Sequence, residues 1–480
     1  MNTLQRLLGN TLLAFLSSIV VKAGNALLFI MLGRWLGPAE SGAFSLATTY
    51  FTFVFGLSAL GLHEIMVREL PARKDESGRY LVNYLALRLL LSLGMYGLLI
   101  LGLRLFVPYS PQTTQVILIL SLAAVPEAAF SMCQSLFEAH ERLVTPLLAS
   151  VVSTALKLAA GFWLLNAGAG VVQIAWVVPI AGALSLLVFV PGLARLFAAT
   201  PQRAPARLSL AFLRHHLGYM PSFLVIQLFL LLDYQADMLL ISLQLSETEL
   251  GYYAAAQTIL LAFNLLPVAV RTAIYPVMSR YYYQAPDKLA VLNDKISHYL
   301  LAAILPVAVG VTLLAGPTIA LVFGPEFAPA APVLQIGIWA VAFMFLNVPH
   351  SRLVLIYNRQ RDAAVMLGLT TGLNIVLNLL LIPRAGINGA AVARLLSSLA
   401  LFLIFYAYTQ TRVTPVRLLP SPLRPLLATA AMSAVVWPLR DWPLLIPIAA
   451  GAATYTAAAL LLNIVPEQDR VYWRELLHRR

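Results

Sequence analysis

Apolar runs of about 20 residues recur along the whole chain, and this repetition constrains the fold more than any other feature. A helical run of that length matches the hydrocarbon thickness of a bilayer. The 480 residues are 60% hydrophobic and only 11% charged, whereas soluble domains are about 25% charged. We therefore predict an all-α integral membrane protein and exclude a soluble enzyme. At roughly 34 residues per span and loop, the length accommodates about 14 spans.

The apolar runs and the loop charges together predict a topology. The runs cover residues 10–32, 42–62, 80–106, 113–136, 144–166, 171–194, 217–245, 251–278, 296–323, 331–356, 363–382, 388–409, 425–439 and 444–464. One alternate set of loops contains only Arg34, Arg104, Arg384 and Arg440, and the other set contains most of the remaining basic residues. Because cytoplasmic loops are enriched in Lys and Arg, we predict a multi-pass protein of the bacterial cytoplasmic (inner) membrane, with both termini cytoplasmic.

An internal repeat divides the predicted spans. The segment after the first span, 33–49, aligns without gaps with 242–258, so that Gly42 meets Gly251 and Phe44 meets Tyr253. A weaker similarity links 168–175 with 386–393. Six spans in each half make a parallel pseudo-twofold repeat, in which substrate sites lie between the halves. We predict a six-helix lobe at 1–200, a cytoplasmic linker at 201–216, a second six-helix lobe at 217–411, and two appended helices with a tail at 412–480.

Charged residues within the spans mark the candidate site. An ionisable group at mid-bilayer is costly and normally faces a counter-charge or a wet cavity. The spans contain the cations Lys22, Arg88, Lys157, Arg271 and Arg394, and the acids Glu127, Asp233 and Asp237. This surplus of cations favours an anionic substrate, and phosphate suits both Arg and Lys. We predict that Lys22, Arg88, Lys157 and Arg271 bind substrate in a cationic cavity.

Structural roles for these residues remain open at this stage. Asp233 or Asp237 could pair with Lys22 or Arg271 to fix helix packing, and Arg88 and Arg271 could extend to lipid phosphates. Asn374 and Asn378 are expected to form interhelical hydrogen bonds. The segment 206–216 is either an amphipathic interfacial helix or a plain linker. The single cysteine, Cys133, is expected to pack as a small apolar residue, and no metal or cofactor motif occurs.

Three segments resemble Wzx-type oligosaccharide flippases of the multidrug/oligosaccharidyl-lipid/polysaccharide exporter (MOP) superfamily. The first is Gly33-Arg-x-Leu-Gly-Pro-x-x-x-Gly42-x-Phe, the second is Asp237-Met-Leu-Leu-Ile-Ser followed by Gly251-Tyr-Tyr-Ala-Ala-Ala, and the third is Gly386-Ile-Asn-Gly-Ala-Ala. The resemblance implies a MATE-like fold with two six-helix lobes and two additional helices. In similar lipid II flippases, arginines in the membrane-embedded cavity of the first lobe hold the diphosphate. The resemblance implies that Lys22 and Arg88 lie in a comparable part of this chain.

The resemblance also implies a function. It is the translocation of undecaprenyl-diphosphate-linked oligosaccharide from the cytoplasmic to the outer leaflet by alternating access, for surface polysaccharide biosynthesis. A polymerase or other assembly proteins are expected partners, nucleic acid is not, and no bond is made or broken. Glu127, Asp233 and Asp237 are candidates for proton or sodium coupling. The alternatives are a lipid II flippase, a cation-coupled multidrug exporter of the same fold, a membrane glycosyltransferase or polymerase, and a scaffold that transports nothing.

Overall fold

The computed structural model describes residues 3–106, 109–199, 206–218, 220–417 and 421–464, and these are almost entirely helical. They divide into two compact units, Met1–Ala254 and Ala255–Arg480. The first unit contains α1 (Thr3–Leu57), α2 (Leu62–Glu69), α3 (Ser77–Phe106), α4 (Pro111–Leu122), α5 (Ala124–Ala139), α6 (Val144–Asn166), α7 (Val171–Ser185), α8 (Phe189–Ala199), α9 (Leu210–Leu217) and α10 (Met220–Gln244).

The second unit contains most of α11 (Glu247–Gln284), followed by five helices. These are α12 (Leu289–Val322), α13 (Ala330–Ile356), α14 (Gln360–Arg412), α15 (Leu423–Leu439) and α16 (Leu445–Leu461). Among the described residues, nine helical segments are long and apolar enough to cross a membrane, and α15 and α16 are shorter apolar helices. The predicted all-α membrane fold is confirmed, while the count of 14 crossings stays a prediction.

Two of the longest helices are interrupted at a glycine. α1 is broken at Gly37 (φ 77°) and α14 at Gly386 (φ 57°). A positive φ is accessible to glycine at no steric cost, so each glycine allows the chain to change direction between two apolar runs. Gly168, which the repeat alignment places opposite Gly386, also has a positive φ of 79°. The weaker of the two sequence similarities therefore aligns two glycines that both have a positive φ.

The first unit extends beyond the predicted first lobe because α10 packs against α1. The Thr49 hydroxyl on α1 donates a 3.2 Å hydrogen bond to Oε1 of Gln235 on α10. Gly56 lets the side chain of Leu231 approach closely, since a Cβ there would lie 3.0 Å from a Leu231 methyl carbon. These contacts attach the helix 220–244 to the first unit. The predicted lobe boundaries, which follow the sequence repeat, stay a prediction.

The two glycines that the repeat aligns pack against each other. A Cβ on Gly42 would lie 1.9 Å from the carbonyl oxygen of Glu247, and a Cβ on Gly251 would lie 1.9 Å from that of Pro38. Gly42 thus faces the carbonyl of the residue four positions before Gly251, and Gly251 faces the carbonyl of the residue four positions before Gly42. The contact is therefore reciprocal. We call this contact between α1 and the start of α11 the glycine crossing. Only residues without side chains allow two backbones to approach so closely.

The linker helix α9 is fastened to the end of the first unit at which α2 and α3 meet. Glu69 accepts hydrogen bonds from the Tyr80 hydroxyl at 3.0 Å and from Nε2 of His216 at 3.1 Å. Nδ1 of His216 lies 2.9 Å from the carbonyl oxygen of Phe212. Both ring nitrogens of His216 thus lie within hydrogen-bond distance of an oxygen, one on its own helix and one on α2. Part of the segment 206–216 is thus helical, as one of the two alternatives requires, while its place at the membrane interface stays a prediction.

Acid should loosen α9. Partial burial raises the pKa of the Glu69 carboxyl, but hydrogen bonds from Arg68, His216 and Tyr80 lower it more, so its net pKa lies below the ordinary value. A carboxylate with a depressed pKa stabilises the folded state above its unfolded pKa, and this stabilisation is lost as pH falls through the folded pKa. We expect hydrogen exchange of 210–217, corrected for intrinsic rate, to rise severalfold as the pH falls from 6 to 3.

A matched variant identifies the group responsible for that change. Glu69→Gln removes the charge at every pH, so its α9 should already exchange rapidly at pH 6 and respond little to acid. The neighbouring Glu64→Gln, which alters an exposed carboxylate on the same helix, should behave as the native protein. Equal acid responses in native protein and Glu69→Gln would contradict the role of Glu69.

Candidate functional site

A cavity of about 360 Å³ lies within the first unit, between α1, α5 and α6. Its volume falls in the range of small-molecule sites. The polar side chains that line it are Ser17, Ser18, Lys22, Glu127, Ser131, Gln134, Glu138, Ser150, Ser153, Thr154 and Lys157. Three of the predicted site residues, Lys22, Lys157 and Glu127, therefore meet in one cavity.

Helical spacing explains why these side chains converge. On α5 the polar residues recur at intervals of three and four (Glu127, Ser131, Gln134), and on α6 Ser150, Ser153 and Lys157 do the same. Residues at such intervals share one face of a helix. Beside α6 the lining begins at Leu143, the residue before the helix, and ends at Lys157, a distance of about 21 Å at 1.5 Å per residue. The cavity thus runs from the α5–α6 turn deep into the predicted span.

The two lysines of the cavity differ in their contacts. Nζ of Lys157 lies 3.6 Å from a carboxylate oxygen of Glu127, and the Lys157 side chain is only 12% exposed. Lys22 is half-buried and forms no ion pair with any of the residues that the structure describes. Lys157 therefore has its charge compensated, whereas Lys22 presents an ammonium group to the cavity.

Glu138 is a lining residue that the sequence interpretation missed. Nε2 of Gln134 donates a 2.7 Å hydrogen bond to it, and Nε2 of His63 lies 3.5 Å from its other oxygen. The residue continues the stripe of α5 by one further step of four, which is the signal that could have identified it. Glu127 and Glu138 balance Lys22 and Lys157 in formal charge. The surplus of positive charge predicted for the site is thus absent from this lining.

Arg88 is close to the cavity but does not line it. Its side chain on α3 is 1% exposed, its Nη2 donates a 2.9 Å hydrogen bond to the carbonyl oxygen of Phe55, and its Cζ lies 4.7 Å from the centre of the Phe55 ring. Phe55 does line the cavity. The alternative in which Arg88 extends to lipid phosphates is wrong, because the guanidinium points into the unit.

The predicted coupling acids of α10 lie outside the lining. Asp237 is buried, and Oδ2 accepts a 2.9 Å hydrogen bond from the Tyr253 hydroxyl. Asp233 is half-buried one turn earlier on the same helix. Glu127 is therefore the one candidate acid that the cavity of the first unit contains. Tyr253 is the residue that the repeat places opposite Phe44, so its hydroxyl is a feature of the second copy alone.

Arg271 belongs to the second unit, and its predicted place beside the other cations stays a prediction. It is exposed on α11 and is electrostatically repelled by Arg352 of α13. The guanidinium of Arg352 lies 5.9 Å from the ring centre of Tyr275. Arg352 interrupts the apolar run 331–356 and is a further cation that the sequence interpretation missed. It brings two arginines close together within the second unit.

Two structural expectations have different outcomes. Cys133 is buried, as predicted. The amide of Asn374 is wholly buried, yet neither its oxygen nor its nitrogen has a hydrogen-bond partner among the described residues. Nδ2 of Asn378 donates to the backbone carbonyl of Asn374 in the same helix. The interhelical hydrogen bond predicted for Asn374 is therefore not formed with any of the described residues.

A polar network surrounds the glycine crossing, at the end of the first unit where α1 bends at Gly37. The Tyr109 hydroxyl lies 3.2 Å from that of Tyr50 and 2.8 Å from that of Ser242. Glu247 accepts hydrogen bonds from the hydroxyls of Ser110 and Thr113, at the start of α4. Ser242 and Glu247 of the repeat segment 242–258 thereby contact the connection between α3 and α4. This contact lies at the end of the first unit opposite Leu143.

The fold is similar to that of solved flippases and MOP-superfamily transporters. The chain superimposes on "Lipid II flippase MurJ, inward closed conformation" with a TM-score of 0.74 at 16% identity, over 98% of this chain and 100% of that one. An inward-facing MATE multidrug resistance transporter of the MOP superfamily gives a TM-score of 0.65 at 14% identity, over 84% of this chain and 100% of that one. At these identities the likeness concerns the fold alone, and it confirms the predicted MATE-like architecture.

The family model described as "Polysaccharide biosynthesis protein" matches residues 31–332, so the chain belongs to that family. The "Probable low-salt glycan biosynthesis flippase Agl15" of Haloferax volcanii is 29% identical over 34% of each chain. The "Uncharacterized membrane protein EpsK" of Bacillus subtilis is 29% identical over 39% of this chain and 38% of its own. The chain thus spans little more than a third of the length of these curated relatives. Agl15 is described as a probable flippase, and the two structural neighbours are a flippase and a transporter rather than enzymes.

Proposed function

We propose that the chain is a flippase that translocates undecaprenyl-diphosphate-linked oligosaccharide from the cytoplasmic to the outer leaflet, for surface polysaccharide biosynthesis. The observation that carries the proposal is the cavity that brings Lys22, Lys157 and Glu127 together in a member of the polysaccharide biosynthesis family. Lysine binds phosphate as a point charge, and the serine hydroxyls of the lining can hydrogen-bond sugars. The polyprenyl tail stays in the lipid.

The charge arrangement supports an anionic substrate despite the balanced lining. Lys22 lacks an acidic partner among the described residues and is available to a phosphate. Lys157 can exchange the Glu127 carboxylate for a phosphate, since both present anionic oxygens to the same ammonium group. A proton taken up by Glu127 as the phosphate arrives would remove the repulsion between the two anions. Glu127 is therefore our candidate for proton coupling, and Asp233 and Asp237 remain candidates for proton or sodium coupling through another site.

The test is a flipping assay in proteoliposomes with a fluorescent polyprenyl-diphosphate oligosaccharide, in which a membrane-impermeant reagent reports the outer leaflet. Loss of a charge-assisted hydrogen bond costs about 1.5–3 kcal/mol, so Lys22→Ala and Lys157→Ala should each lower the apparent substrate affinity by about ten- to a hundredfold. Lys74→Ala, which removes an exposed lysine outside the lining, is the control. Unchanged affinity in both cavity variants would contradict the proposed site.

Glu127→Gln gives a change of the opposite sign. The substitution keeps the size of the side chain and removes the charge that Lys157 now compensates, so the cavity gains one net positive charge. We expect tighter binding of the diphosphate substrate together with a weaker dependence of the flipping rate on the pH gradient. Binding by isothermal calorimetry and flipping under an imposed gradient measure the two effects separately.

A lipid II flippase is the second candidate, since the MurJ likeness extends over 98% of the chain. Both substrates carry a polyprenyl diphosphate, so the lysines of the cavity do not distinguish between them. Competition between lipid II and the lipid-linked oligosaccharide in the same proteoliposomes does. A cation-coupled multidrug exporter would instead accumulate cationic dyes, and Lys22→Ala would leave that transport intact or improve it.

The proposal includes an orientation. With both termini cytoplasmic in the bacterial inner membrane, the α5–α6 turn lies inside and the glycine crossing lies outside. The cavity would then admit substrate from the cytoplasmic side while the crossing closes the outer side, which is one half of an alternating-access cycle. Polymerase or other assembly proteins that receive the flipped glycan are expected partners.

A further inference from the structure

Arg88 carries a buried charge without an ionic partner. It belongs to the largest wholly buried side chains of the described residues, and it forms no ion pair with any of them. The acid that acts on it electrostatically is Glu64, which is exposed on α2. A buried cation normally has a neutralising neighbour because removal from water is costly. Its burial therefore requires an explanation beyond packing.

The hydrogen bonds of Arg88 are incomplete as well. Only Nη2 is satisfied, by the backbone of Phe55. Nε and Nη1 are buried without a hydrogen-bond partner in the described part of the chain. A guanidinium has five N–H donors and cannot lose its charge at physiological pH. Arg88 thus retains donor capacity for an acceptor that none of the described residues supplies.

The ring of Phe55 lies between this guanidinium and the cavity. The guanidinium stacks on the ring at 4.7 Å, and the same side chain is part of the cavity lining. A hydrogen bond joins α3 to the end of α1, since the Ser92 hydroxyl donates to the Ser58 hydroxyl at 3.2 Å. Ser92 and Ser58 each lie one turn beyond Arg88 and Phe55. The contact between α3 and the end of α1 therefore does not depend on the Phe55 ring alone.

We propose that Phe55 is a movable cover over a phosphate subsite formed by Arg88. When the ring turns aside, the vacant Nε–H and Nη1–H groups become accessible from the cavity, and oxygens of the substrate phosphate accept hydrogen bonds from them. Such charge-assisted bonds are stronger than the contact with the ring that they replace. The inference rests on the proposed function for the source of the phosphate. It adds the Phe55 cover, through which Arg88, one of the predicted binding residues, reaches a cavity that it does not line at rest.

The test is arginine labelling of the purified full-length protein in nanodiscs, with inorganic pyrophosphate as the probe. Phenylglyoxal modification of Arg88, followed by peptide mass spectrometry, should be slow in the native protein and at least tenfold faster in Phe55→Ala. Pyrophosphate should suppress the reaction in Phe55→Ala. Phe130→Ala, which removes another ring from the same lining, should leave the labelling rate of Arg88 unchanged.

Further outcomes separate the inference from the proposed function. Phe55→Trp keeps an aromatic cover and should keep Arg88 unreactive, so the cover can be tested even if Phe55→Ala does not fold. Slow labelling of Arg88 in Phe55→Ala, or fast labelling in Phe55→Trp, would overturn the cover. Rapid labelling without protection by pyrophosphate would overturn the phosphate subsite. None of these labelling results depends on the flipping assay. In that assay, unchanged substrate affinity in Lys22→Ala and Lys157→Ala would count against the proposed function alone.

Discussion

A short bis-methanethiosulfonate crosslinker between cysteines at positions 109 and 242 should abolish flipping. The hydroxyls of Tyr109 and Ser242 lie 2.8 Å apart beside the glycine crossing. If the crossing closes the outer side of an alternating-access cycle, the α3–α4 connection must separate from α10 before the head group can leave. A covalent bridge prevents that separation. We expect flipping to fall to background when the Tyr109→Cys/Ser242→Cys protein is crosslinked and to recover when dithiothreitol cleaves the bridge.

Background thiol reaction can be removed with one substitution, Cys133→Ser, because the chain contains a single cysteine. The matched control joins Trp35→Cys and Phe162→Cys in the same background. These rings lie 6.2 Å apart near the same end of the unit, but both belong to the predicted first lobe, so a bridge between them should leave flipping intact. Full activity of the crosslinked 109–242 protein, verified by mass spectrometry, would rule out opening at this end.

Gly42→Val should hold the glycine crossing open. A Cβ at position 42 would lie 1.9 Å from the carbonyl oxygen of Glu247, and a backbone carbonyl cannot move aside as a flexible side chain can. The two helices must separate, which destabilises the closed arrangement selectively. A penalty of about 3 kcal/mol would change the ratio of closed to open forms by more than a hundredfold. We expect a large loss of flipping and a similar loss of crosslinking between positions 109 and 242.

The reciprocal geometry supplies a second variant and a control for this prediction. Gly251→Val meets the carbonyl of Pro38 at the same distance and should have the same effect as Gly42→Val. Gly97→Val, on α3, introduces the same side chain where no atom lies within 4 Å and should remain active. If Gly42→Val and Gly251→Val crosslink as efficiently as the parent protein, the crossing does not control closure.

Much of the architecture could be predicted from the sequence because its signals are local. A run of apolar residues must be helical in lipid to satisfy its backbone, so each predicted span reappears as helix in the described residues. The breaks at Gly37 and Gly386 coincide with gaps between predicted spans. The stripes on α5 and α6 were also predictable, since a helix repeats every 3.6 residues. Continued one step further, the stripe of α5 reaches Glu138.

The groups that surround each charged side chain could not be predicted from those patterns. Periodicity places Arg88 on the same face as Tyr84 and Ser92, but it does not say that Phe55 of another helix covers that face. The same pattern led us to expect surplus positive charge at the cavity, whereas Glu127 lies next to Lys157 and Glu138 contributes a second acid. Nor does periodicity show that the Asn374 amide is buried without a hydrogen-bond partner in the described part of the chain.

Two conclusions needed nothing beyond the order of the amino acids: this protein crosses a membrane as helices, and its two halves share a motif around Gly42 and Gly251. Hydrophobic length gives the first and residue alignment the second, and neither depends on which helices become neighbours. Helix packing was needed to show that these two glycines touch, that Lys22 and Lys157 share a cavity, and that Arg88 is screened from it. The reason is physical: the cost of a buried charge or of a close backbone contact depends on the surface opposite, and packing between distant segments supplies that surface.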